Sequence, residues 1–181
     1  MMILGEAPGR VSLDNGRGFS NRRNLTIRRA FASAIAPSQA ALEQIAYLTD
    51  TVKCWPATPS GANRSPSASE LRTCVGRHLA AELAIVRPRV IIAFGNLAAA
   101  AALGFEVKIG LAHGRAHRSL TGVRVIPLMH PSTRNIAGMK AVGIISLDDY
   151  ENRLAKLFRD ELARLDRDDN SGEAGCAGHD K

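Results

Sequence analysis

Val90-Ile91-Ile92-Ala93-Phe94-Gly95 decides how the rest of the 181-residue chain is read. Five apolar residues in a row, rich in β-branching, suit a strand buried on both faces, as in a parallel sheet. Gly95 turns the chain into an Ala-rich helix that ends near Leu103-Gly104. Upstream, Pro88 stops a helix that begins at Ser67 or Ser69 and repeats Leu71, Cys74, Val75, Leu79, Leu83 and Val86 along largely one stripe. Working outward, Met1 to Leu4 reads as a strand, stopped by Gly5-Glu6-Ala7-Pro8-Gly9. Residues 10–23 read as a loop, Leu25 to Ile35 as a helix capped by Asn24, and Ser38 to Gln44 as a short helix. Further strands are expected over Ile45 to Lys53 and Val123 to Met129, and a last amphipathic helix over Ser146 to Leu165. This order predicts an α/β fold: a three-layer α/β/α sandwich around a central, mostly parallel, four-stranded sheet. Ligands of open parallel sheets sit beyond the carboxyl ends of the strands. Residues 5–21, 50–66 and 130–135, all polar and turn-rich, follow strands and are expected to cluster there.

Composition narrows the function. The chain is 45% hydrophobic and 23% charged, enough to build a core. Its net charge of +7 is uneven: residues 166–181 hold five acids and two bases, leaving 22 bases against 12 acids in the first 165 residues. A domain at residues 1–165 with a polar, acidic and disordered tail at 166–181 is therefore expected. The basic body points to a polyanionic partner, most often nucleic acid, although a solvated basic surface explains the charge equally well. The longest apolar stretch, Val90 to Phe105, is broken by Asn96 and too short for a membrane span. No signal peptide is evident, and three cysteines make no disulfide framework. A soluble, cytoplasmic, nucleoid-associated monomer is the expectation.

Several motifs, in collinear order, carry a resemblance over roughly residues 1–135. Gly5-Glu6-Ala7-Pro8-Gly9 is followed by Gly16-Arg17-Gly18-Phe19. Then come Val52-Lys53-Cys54, Asn63-Arg64-Ser65-Pro66 with Glu70, Leu71 and Cys74, and Pro88-Arg89-Val90-Ile91 ahead of Gly95. His130-Pro131-Ser132-Thr133-Arg134-Asn135 completes the set. Together they resemble the uracil-DNA glycosylase superfamily, closest to its iron–sulfur family four, with a family-five-like HPSxRN ending.

The resemblance implies removal of uracil from DNA after the nucleotide is flipped from the stack, at a cost of a few kcal/mol. Gly5, Glu6, Ala7, Phe19 and Asp50 are then candidates for holding the base. A base stacked on Phe19 is worth about 1–3 kcal/mol; on its own, this aromatic could equally pin its loop. Bond cleavage leaves negative charge on the uracil O2, and His130 is the candidate donor to it, though alone it reads as an ordinary loop histidine. Catalytic roles fall to His130, Asp50 and Glu6. Pro8, Ser132, Thr133, Arg134, Asn135 and Arg64 are candidates for DNA contact, the 132–135 tip as a wedge in the minor groove. Arg22, Arg23, Arg115 and Arg118 add to the basic surface. His78, His113, His117 and His179 carry no comparable signal.

Three departures from family four stand out. Asp50 occupies the place of an Asn whose amide reads the uracil edge. A carboxylate accepts from N3–H but repels O4 unless protonated or water-bridged, so Asp50 could instead polarise the attacking water or admit another base. Ala7 stands where better-known glycosylases carry a water-activating Asp, and Ser12 where family four has an acid. A largely dissociative bond cleavage lessens the need for a strong base. Finally, a four-iron cluster takes four thiolates. The chain opens at the first motif and holds only Cys54, Cys74 and Cys176. No cofactor or metal is expected, with an upstream start codon as the alternative. Residues 55–69 lack the His of the branch that traps uracil covalently, so ordinary turnover on uracil-containing DNA, single- or double-stranded, is the reading. Its rivals are a same-fold glycosylase for hypoxanthine or xanthine, and a non-catalytic binder of uracil-containing DNA.

Overall fold

The computed structural model describes residues 1–20, 25–35, 41–132 and 135–174, with backbone only for 25 and 170–174. Val90–Phe94 forms the central strand β3, with all five residues buried. It pairs in parallel with β1 (Met2–Gly5) on one side and β5 (Arg124–Leu128) on the other. β2 (Tyr47–Asp50) lies parallel on the far side of β1. These four parallel strands are the ones the hydrophobic pattern predicts. A further two-residue strand, β4 (His117–Arg118), pairs antiparallel with the outer edge of β5. Among the described residues the sheet therefore has five strands, not four, in the order β2-β1-β3-β5-β4. Two residues are too few to show the alternation by which a strand is recognised.

Each sheet face builds its own core. Ile3, Val90, Ile92, Phe94, Ile126 and Leu128 point to one face and pack under α2 (Leu25–Ile35) and α9 (Leu147–Ala174). Met2, Leu4, Ile91, Ala93 and Val125 point to the other, against α6 (Asn96–Leu103) and the helix that precedes β3. The three expected layers follow directly from this period-two division. Phe31 on α2 meets Phe158 on α9 edge-on, with ring centroids 5.2 Å apart. Glu161, also on α9, is buried and paired with Arg124 at 2.8 Å and Arg164 at 3.1 Å, which ties the long helix to the start of β5.

The helix ahead of β3 begins as the sequence indicates. Ser67 caps it, accepting from the Glu70 N–H while Glu70 accepts from the Ser67 N–H. It runs as α4 (Ala68–Cys74), a π-helical turn at Val75–Leu79, and α5 (Ala80–Val86). Arg87 leaves it at φ 46°, and Pro88 follows.

Several boundaries differ from expectation. The loop expected over 10–23 opens with a short helix, α1 (Arg10–Asp14). The helix expected over 38–44 appears as α3 (Leu42–Ile45), and residues 36–40 and the Asn24 cap lie outside the described residues. The region between β3 and β5 also holds α7 (Ile109–Ala112), and α8 (Ile136–Ala141) follows the 130–135 segment. α9 continues past Leu165 to Ala174, and Arg89 grips Asp169 at 2.6 and 2.8 Å. Residues 166–174 are thus helical rather than a disordered tail, and 175–181 lie outside the described residues. Polar composition alone did not reveal this, because an exposed helix end needs no apolar face. No helix of the described residues is long and apolar enough to cross a membrane.

The Phe31–Phe158 contact is the main aromatic tie between α2 and α9. Phe158→Ala should lower stability by about 3–5 kcal/mol in urea unfolding. A loss below about 1 kcal/mol would show that the site collapses around the cavity.

Candidate functional site

A cleft of about 710 Å³ opens at the carboxyl ends of the parallel strands. Its base is where β1 passes into Gly5-Glu6-Ala7-Pro8. The segment after β2 is stitched to this turn: the Thr51 N–H and hydroxyl both donate to the Gly5 carbonyl, at 2.8 and 2.9 Å, and the Val52 N–H to the Glu6 carbonyl at 3.0 Å. Strand register sets Gly5 directly opposite Asp50. A Cβ on Gly5 would overlap the Asp50 Oδ1 and stand 3.2 Å from the Phe19 Cζ. The carboxyl and the aromatic ring therefore converge over a glycine because only hydrogen occupies that place.

Glu6 is held in a similar way. Gly95, between β3 and α6, adopts φ 96°, and a Cβ there would overlap the Glu6 Oε1. The Leu97 N–H, in the first turn of α6, donates weakly to that oxygen at 3.4 Å. Burial raises the Glu6 carboxyl above its ordinary range, and the Leu97 N–H offsets this in part. Burial raises Asp50 further, to about 7, opposed by Lys53 and reinforced by Glu6 and Glu82. The Lys53 ammonium is bound by the Asp50 carbonyl at 2.5 Å, Thr49 Oγ1 at 2.6 Å and Glu82 at 2.6 Å. Its charge lowers the Asp50 carboxyl but does not outweigh the burial.

Phe19 takes the left-handed backbone conformation at φ 54°, a strain of order 1–3 kcal/mol for a residue with a side chain. Arg28 on α2 holds it there, donating to the Gly18 carbonyl at 2.5 Å and the Phe19 carbonyl at 3.1 Å while pairing with Glu43 at 2.8 Å. The ring is 4% exposed and 6.5 Å from Phe94. It lines the cleft and also closes the core beneath it.

His130 and Ser132 line the opposite wall, with Asn135 beside them. Asn135 donates from its side chain to the His130 carbonyl at 2.8 Å and from its backbone to the Ser132 carbonyl at 2.9 Å. Gly5, Glu6, Ala7, Pro8, Phe19 and Asp50 thus share one cleft with Arg64, His130, Ser132 and Asn135. Thr133, Arg134, Arg22 and Arg23 lie outside the described residues. Arg64 reaches the cleft, but both its terminal nitrogens are engaged by Glu70, at 2.8 and 2.6 Å, so it is a paired charge. Arg10 was missed by sequence reasoning: it lines the cleft with its guanidinium 5.6 Å from the Trp55 ring centre. Its place straight after the Gly5–Gly9 turn was the available signal. Asn63, also in the lining, accepts from the Trp55 indole N–H at 2.5 Å.

Among the described residues the cysteines are Cys54 and Cys74. Cys54 is exposed and Cys74 buried, and Cys176 lies outside the described residues. Among the described residues, no three of the His, Cys, Asp and Glu side chains are grouped to hold a metal. Two thiolates are half of what a four-iron cluster takes.

Residues 1–157 match the family model of the uracil DNA glycosylase superfamily. The chain is 32% identical over 133 residues to a type-4 uracil-DNA glycosylase of Thermotoga maritima, an overlap of 73% of this chain and 64% of that protein. It is 29% identical over 130 residues to a type-4 uracil-DNA glycosylase of Pyrobaculum aerophilum, covering 69% and 61% respectively. A type-5 uracil-DNA glycosylase of the same organism shares 38% identity over 92 residues, covering 50% of this chain and 38% of that protein. The chain thus spans less than two thirds of the length of either type-4 relative.

The raised Asp50 carboxyl has a consequence for stability. Between its ordinary value of 3.8 and about 7 the folded chain keeps a proton that the unfolded chain has released. Asp50 therefore makes stability fall as pH rises through that window. Asp50→Asn should remove this loss, so its advantage over the wild type in urea melts should grow from pH 4 to 7 and then level off. An advantage independent of pH would mean that the carboxyl titrates normally.

Proposed function

The chain belongs to the uracil DNA glycosylase superfamily, and from that premise we propose that it excises uracil from DNA by hydrolysing the N-glycosidic bond. The observation that carries this reading is the meeting of Phe19, Asp50, Glu6 and His130 in one cleft at the strand ends. A planar base fits against the Phe19 ring, with its polar edge toward Asp50 and the Gly5-Glu6 turn. His130, from the opposite wall, donates to O2 as negative charge gathers there when the bond breaks. Hydrolysis places the hydroxyl of water on the sugar C1′ and its proton on the departing base. Asp50 is the candidate to polarise that water, since a carboxyl titrating near neutrality suits a general base, and Glu6 is the second acid at hand. Ser132 and Asn135, with Thr133 and Arg134 between them in sequence, are suited to fill the gap left by the flipped base, and Pro8 and Arg64 to meet the backbone. No step is assigned to a metal or cluster, and the enzyme is taken to work as a monomer.

One observation favours a second reading, a same-fold glycosylase for another deaminated base. The edge-reading position holds a carboxyl, Asp50, whose proton is retained near neutrality. A carboxyl can offer either a donor or an acceptor to that edge, so hypoxanthine and xanthine belong in the assay.

Uracil oligonucleotides, single-stranded and duplex, test the proposal. Release of free uracil and an alkali-labile strand are expected. Intact strands with folded protein in excess would overturn it, and a clear preference for hypoxanthine or xanthine would move the assignment to the second reading. His130→Ala should slow single-turnover excision by about 10²–10³-fold while leaving a folded protein that still binds DNA.

A further inference from the structure

The backbone that delivers His130 is held by side chains rather than by a neighbouring strand. β5 pairs with β3 as far as Leu128, opposite Phe94, while β4 reaches only Val125. Met129, between the end of the strand and His130, is 5% exposed, and a buried peptide group without partners would be costly. The Met129 N–H donates to the His113 Nδ1 at 3.0 Å, and the Met129 carbonyl accepts from the Tyr150 hydroxyl at 2.5 Å. The carbonyl that Tyr150 holds belongs to the peptide plane joining Met129 to His130. The two rings stack on each other, with centroids 6.0 Å apart and planes 25° apart.

The holders are themselves fixed. His113 ends α7, where its N–H donates to the Ile109 carbonyl at 2.9 Å. The next residue, Gly114, donates to the Pro127 carbonyl of β5 at 2.9 Å. Tyr150 comes from the first turn of α9 and is 2% exposed. Beyond His130, Asn135 takes the His130 carbonyl. Both peptide planes of His130 are thereby constrained from separate elements.

We propose that His113 and Tyr150 are positioning residues that set the direction in which His130 enters the cleft. The role rests on the glycosylase reading only for its kinetic consequence; the geometry it asserts stands apart from the reaction. Rates respond steeply to such geometry, because a displacement of about 1 Å can cost on the order of 100-fold. His113 serves only with Nδ1 unprotonated, since a protonated ring would set one donor against another. Burial, with Arg153 of α9 nearby, lowers its ionisation below the ordinary 6.5. Arg153 is itself paired with Asp149 at 2.9 Å, and the Tyr150 ring stacks on the His113 ring. The clamp is therefore complete at neutral pH and opens on acidification.

Tyr150→Phe keeps the ring and removes the donor; His113→Asn keeps an acceptor near the Nδ1 position, and His113→Leu removes it. Each is compared with the wild type in single-turnover uracil excision, DNA binding, thermal unfolding and NMR of the His130 ring, assigned with His130→Ala. Tyr150→Phe and His113→Leu should slow excision by about tenfold with DNA affinity unchanged, and both should shift the His130 resonances. His113→Asn should restore most of the rate and lose the part of the acid-side decline that His113 causes. Variants that unfold at lower temperature but keep the wild-type rate and His130 resonances would overturn the proposal. If the wild type releases no base, the glycosylase reading fails, and the His130 resonances alone decide whether the clamp exists.

Discussion

Steric room at the ends of the two central strands is the condition on which the cleft depends. β1 ends on Gly5 and β3 is followed by Gly95, and at each place a carboxylate oxygen lies where a Cβ would stand. Parallel register puts Gly5 opposite Asp50, so the missing side chain on one strand is filled by the side chain of the next. At Gly95 the same substitution brings Glu6 to the first turn of α6. An alanine at either position would push an acid out of the cleft or force the strands apart.

That arrangement explains the electrostatics. Both acids lie at the mouth of a sheet whose strands β1 and β3 are buried throughout, and burial raises both carboxyls. Lys53, the cation that lowers the Asp50 carboxyl, is bound by Thr49, Glu82 and the Asp50 carbonyl, so it supports the loop more than it neutralises that acid. Phe19 and His130, on the two walls, are placed by control of the backbone instead. Arg28 braces the strained Phe19 turn, while His113, Tyr150 and Asn135 brace the segment around His130. Uncharged or paired groups do the holding, which leaves the acids and the histidine facing the same space.

Much of this was legible in the chain. The four parallel strands, α2 and the capped helix after Ser67 follow from hydrophobic period, β-branching and capping chemistry, all of which act over a few residues. Gly5, Glu6, Phe19, Asp50 and His130 could be nominated from motif order, and one cleft receives them all. β4 and α7 are too short to leave a periodic signature, and the end of α9 is polar on every side. His113 carries no signal along the chain, because its partner Met129 is 16 residues away and Tyr150 lies on another element.

The division is a physical one. Local chemistry written along the chain was sufficient for the layers of the fold, the glycines at the strand ends and the kinds of group at the site. Whether Arg64 is a free or a paired charge, whether Asp50 holds its proton near neutrality, and what aims His130 depend on distances between segments far apart in sequence. Burial and hydrogen-bond geometry are properties of the packed molecule, so these answers arise only once the chain has folded.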